Sequence, residues 1–79
     1  MPMFHFKFPI GDVMPSLGGP VDVEGRIRKI AREAKCTIDI DRVRGTDRVI
    51  SIRCEEGTSE MMVKLALSDF PARCFGNEA

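Results

Sequence analysis

The chain has 79 residues, with 12 Lys and Arg against 12 Asp and Glu, one His and neither Trp nor Tyr. So short a chain folds as one domain and buries only about 60% of its unfolded surface, so its core must be compact. Zero net charge excludes bulk attraction to polyanions but not a local basic face, and no apolar run nears the roughly 18 residues that cross a bilayer, so no membrane partner is expected.

In chain order, Phe4, Phe6 and Phe8 alternate with His5 and Lys7, the period of a half-buried strand that Pro9 stops. The rings are expected to face inward and His5 and Lys7 to face solvent. Between Ile10 and Asp22, Pro15 and Pro20 bracket Gly18 and Gly19. Any helix there is one or two short turns, with Met14 and Leu17 turned inward and a backbone turn at the glycines.

Val23, Ile27, Ile30, Ala31 and Ala34 then recur on one face of a 3.6-residue period, which predicts a helix from about Val23. Asp22 is its expected N-cap, and Glu24 stands four residues before Arg28. The polar face carries Arg26, Arg28, Lys29, Arg32 and Lys35 against Glu24 and Glu33 and is net basic.

The period next changes to two. Cys36, Ile38 and Ile40 alternate with Thr37, Asp39 and Asp41, and Ile50, Ile52 and Cys54 alternate with Val49, Ser51 and Arg53, so the helix feeds a hairpin. Its loop, Arg42 to Arg48, reads RVRGTDR, with Gly45 supplying the turn. Thr58 or Ser59 caps a last helix reaching about Phe70, before Pro71. Within it Met61, Met62, Val63, Leu65, Ala66 and Leu67 are interrupted only by Lys64, more apolar surface than one packed face needs. Met61, Met62 and Leu65 are therefore candidates for a protein partner or self-association. The domain is expected over residues 3–70, with 71–79 a tail from which Phe75 docks.

Cys36, Cys54 and Cys74 include no C-x-x-C pair, and His5 is the only histidine, so no metal site is expected. Cys36 and Cys54 read as small apolar residues at strand ends facing the core, and Cys74 as a thiol in the tail. The odd count without a secretory leader predicts a reduced, intracellular setting, cytoplasmic or nuclear. No nucleophile lies near a base in sequence, and no cofactor motif occurs. Catalysis and cofactors are not expected.

The order strand, short helix, turn, helix, strand, strand, helix resembles the type I KH domain, a module that binds single-stranded RNA. The likeness rests on IRKIAREAKCTIDI at residues 27–40, RVISI at 48–52 and the apolar last helix. It implies an α+β fold with a three-stranded antiparallel sheet and three helices on one face, in the order β-α-α-β-β-α. The family's G-x-x-G loop is absent: the corresponding residues are Val21, Asp22, Val23 and Glu24. The resemblance therefore implies RNA contact through a modified groove, floored by Ile27, Ile38 and Ile40, with Arg26, Arg28, Lys29, Arg42 and Arg44 reaching phosphates or base edges.

Overall fold

The computed structural model describes residues 2–75. Strands β1 (Met3–Pro9), β5 (Asp47–Arg53) and β4 (Thr37–Arg44) form an antiparallel sheet in the order β1-β5-β4. Helices α1 (Val23–Glu33) and α2 (Thr58–Leu67) cover the face bearing the rings. Phe6 and Phe8 are buried, Phe6 stands opposite Ile50 and Phe4 opposite Ile52, so the period-two pattern of β1 delivers its rings to the core. Val23, Ile27, Ile30 and Ala31 of α1 and Val63 of α2 close over them.

The expectation of three helices on one face is corrected. Residues 10–22 hold no helix; a two-stranded antiparallel ribbon, β2 (Val13–Met14) with β3 (Val21–Asp22), stands there instead. Pro15 and Pro20 leave too little chain between them for a helix to nucleate, whereas a loop that turns at Gly19 (φ 108°) lets the flanking pairs meet. Met14 faces inward as expected, but Leu17 is fully exposed at the loop tip.

The ends of α1 are well specified. Asp22 is extended and its carboxylate accepts from Gly25 N–H at 3.0 Å. At the other end Lys35 takes the left-handed conformation (φ 58°), Lys35 N–H bonds Arg32 C=O at 3.3 Å and Cys36 N–H bonds Ala31 C=O at 2.8 Å. This is a Schellman closure with lysine where glycine is usual. By contrast, α2 begins after Gly57 with no side-chain cap. Thr58 is its first helical residue rather than its cap, and the helix stops at Leu67, short of the expected Phe70.

The hairpin loop is shorter than expected. β4 and β5 run to Arg44 and from Asp47, leaving only Gly45 and Thr46 between them, with φ 66° at Gly45, the residue a type II′ turn requires first. Arg42, Arg44 and Arg48 therefore lie on strands.

Cys36 and Cys54 face the core at the strand ends as expected, but not as free thiols. Cys36 and Cys54 are joined by a disulfide, their Cα atoms 4.6 Å apart, one step beyond the Thr37–Arg53 pair. Cys74 is fully buried in a 3-10 turn (Ala72–Cys74), and burial pushes its thiol up from the ordinary value. A shielded, protonated thiol is a poor nucleophile, so Cys74 is a packing residue and not a reactive one. The start of the predicted tail is thus docked: Phe75 bridges Phe6, and Arg73 places Nη2 3.1 Å from Asp12 Oδ1 and 3.2 Å from Val13 O. The remainder of that tail, from 76 on, lies outside the described residues.

Candidate nucleic-acid and partner surfaces

The sheet has one face without helices, and a β-bulge decides what stands on it. From Ile40 to Arg44, β4 pairs in step with β5: Ile40 faces Ser51, Arg42 faces Val49 and Arg44 faces Asp47. Between Ile38 and Ile40 the register slips by one residue, so Ile38 faces Ile52. Because side chains alternate across a strand, one extra residue moves the set that follows it to the other face. Ile38 packs against the core, while Ile40, Arg42 and Arg44 share the open face with Ser51 and Val49.

β1 supplies the other side of that surface. His5 and Lys7 stand opposite Ser51 and Val49. His5 Nδ1 shares a hydrogen bond of 2.7 Å with the Ser51 hydroxyl, which satisfies a group with no exposed surface. Lys7 Nζ is 3.9 Å from Asp47 and Arg53 Nη2 is 3.5 Å from Asp39, ion pairs beyond good hydrogen-bond length. The open face thus carries Lys7, Arg42, Arg44 and Arg53 against Asp39 and Asp47, four cations to two carboxylates on a chain of zero net charge.

The cations of α1 are held differently. Arg28 donates through Nε to Glu24 at 3.0 Å and through Nη2 to Asp41 at 2.7 Å. Arg48, on the helix side of β5, donates Nη1 to the other Asp41 oxygen at 2.7 Å, and its buried Nε lies 3.0 Å from Glu24 outside hydrogen-bond geometry. The Arg28 hydrogen bond, opposed by a smaller cost of burial and aided by Arg48, holds the Asp41 carboxyl below its ordinary value; Asp41 in turn raises Arg28. Two arginines and two carboxylates here neutralise one another and fasten α1 to the hairpin.

The residues expected to form one RNA groove are therefore separated. Ile27 is fully buried and supports the core, Ile38 packs beside it, and Arg26 sits 3.7 Å from Asp69. Lys29 is exposed on α1, away from the open sheet face that carries Ile40, Arg42 and Arg44. His5, Lys7, Ser51 and Arg53 join that face although the sequence did not single them out. Their alternation was visible; the bulge that brings β4 to them was not.

The candidates on the last helix fall together. Val63, Ala66 and Leu67 face the core, and the opposite ridge exposes Met61 (64%), Leu65 (73%) and Met62 (42%). Lys64 and Glu60 form an ion pair of 3.0 Å along one flank. A cleft of about 360 Å³ adjoins the end of α2, between Asp69, Arg26 and the loop from Met14 to Leu17. Among the described residues no helix is long and apolar enough to cross a membrane. No protein family, curated protein or solved structure matches this chain.

Proposed function

We propose that this domain binds single-stranded nucleic acid across the open face of its sheet and performs no catalysis. The observation that carries the reading is the bulge beside Ile38, which groups Ile40, Arg42 and Arg44 with His5, Lys7 and Arg53. Lys7 and Arg53, held in long ion pairs, exchange a carboxylate for a phosphate at little cost, because neither gives up a good hydrogen bond. Ile40, half-buried between the flanking cations, supplies an apolar spot on which a base can rest. The likeness of residues 27–40 and 48–52 to an RNA-binding family supports RNA as the polymer. In place of the groove beside α1, whose Arg28 is committed to Glu24 and Asp41, the sheet face takes the contact.

A cytoplasmic or nuclear location belongs to the same proposal. There the Cys36–Cys54 pair would stand largely reduced. The open face lies along the ladder beyond that pair, so binding is expected with and without the bond.

Fluorescence anisotropy with a labelled uridine-rich 12-mer at low salt tests the reading. Three to four phosphate contacts predict a log–log salt slope of about −2 to −3. Arg42→Ala with Arg44→Ala should flatten that slope and weaken binding at least tenfold, whereas Arg28→Ala should leave it nearly unchanged. Absence of binding at low salt, or loss confined to Arg28→Ala, would refute the sheet face.

A further inference from the structure

We propose that α2 is a two-fold self-association surface, pairing antiparallel with α2 of a second copy through Met61 and Leu65. The inference is independent of the nucleic-acid reading, since α2 lies on the side of the sheet away from the open face. Met61 and Leu65 are one helical turn apart and stand at the centre of the outward ridge, with Met62 beside them. A helix that turns three large apolar side chains to water is not explained by its packing on the core, which Val63, Ala66 and Leu67 already provide.

The charges on the flank identify the occupant as this same chain. When two identical helices pack antiparallel about a two-fold axis, each flank faces its own copy in reverse order. Met61 then meets Leu65 of the second copy, and Leu65 meets its Met61. Glu60 of each copy comes level, within about half a turn, with Lys64 of the other, so the pair that now closes within one helix at 3.0 Å gains two partners across the axis. A ridge flanked by a single sign of charge would repel its copy; this one is self-complementary, and zero net charge adds no long-range repulsion. One pair of helices of three turns buries well under the roughly 800 Å² per partner of a standard interface, so the association is weak, with a Kd on the order of 100 μM. Such a dimer leaves both open sheet faces outward.

Sedimentation equilibrium from 10 μM to 1 mM is the test. The wild-type chain should show a monomer–dimer equilibrium with a midpoint in that range, and Leu65→Glu, at a site already facing water, should be monomeric throughout while keeping its circular dichroism. Glu60→Lys and Lys64→Glu should each weaken dimerisation at least fivefold, and the double exchange should restore it. A wild-type monomer at 1 mM, dimerisation that survives Leu65→Glu, or a double exchange that fails to rescue would each overturn the proposal. Arg42→Ala with Arg44→Ala should leave the equilibrium unchanged, which separates failure here from failure of the nucleic-acid face.

Discussion

The two helices are nearly equal in length and lie on the same side of one sheet, yet they are built for different work. α1 buries Val23, Ile27, Ile30 and Ala31, is capped at both ends and is clamped to the hairpin by two arginines. α2 fully buries only Val63, has no side-chain cap, and turns Met61, Met62 and Leu65 outward. Stability is concentrated in the helix with one sharply apolar face, and the more apolar helix, charged only along its Glu60–Lys64 flank, has side chains to spare. Hydrophobicity summed along a segment says little about its contribution to the fold; the arrangement around the axis says most of it.

The sharpest way to break that contrast is a matched pair of truncations. Ile27→Ala should cost about 2–5 kcal/mol, because a fully buried side chain leaves a cavity, whereas Leu65→Ala should stay within about 0.5 kcal/mol. Urea melts of both variants measured at low micromolar concentration, where any dimer is dissociated, would check this. Equal losses would mean that α2 carries as much of the core as α1.

Next in size is the Cys36–Cys54 bond, which ties the exit of α1 to the segment leading into α2. With the partners 18 residues apart, reduction should lower stability by about 3 kcal/mol on the chain-entropy account. Melts with and without a dithiol reductant measure it directly. A null result would show that the ladder alone fixes this corner.

The clamp on α1 predicts a smaller and pH-dependent loss. Asp41 has its carboxyl held below its ordinary value, so it binds protons less readily folded than unfolded. Its contribution is complete above the unfolded value, near pH 4, and is lost as pH falls through the depressed native one. Asp41→Asn should cost about 1 kcal/mol at pH 7, a figure kept low because the group is partly exposed, and should flatten the acid limb of stability. An unchanged acid limb would place the relevant carboxylate elsewhere.

These effects also mark what could be read from sequence. Long regular periods were legible: the three-residue and four-residue recurrence of α1, the Phe alternation of β1, and Asp22 as cap all reappear in the structure. Strands of two residues have no period to read, so nothing in residues 13–22 distinguishes the β2–β3 ribbon from a short helical turn. The bulge was hidden for a different reason. Thr37 to Asp41 alternates without a fault, and the slip exists only relative to β5. Its consequences are large, because without the extra residue Ile38 would face Arg53 on the open side and Cys36 would meet Glu55. One inserted position thus sends Ile38 to the core, sets Ile40 on the opposite face and brings the two cysteines into register.

The smallest prediction concerns the residue that hands α1 over to that bulged strand. Lys35 occupies left-handed space, which crowds the Cβ of any L-residue and is tolerated here because the two closing hydrogen bonds to Arg32 and Ala31 hold it. Lys35→Gly relieves the crowding but widens the freedom of the unfolded chain, and the two terms oppose each other. At a position with φ 58° the relief is the larger, so the variant should gain roughly 0.5–1 kcal/mol. The corresponding change at Glu33, inside the last turn of α1, should lose about 1 kcal/mol, since there glycine removes no strain. Opposite signs two residues apart in urea melts would locate the end of the well-specified helix to the residue. A loss at both would mean that α1 frays before its cap and owes its ordering to the disulfide beside it.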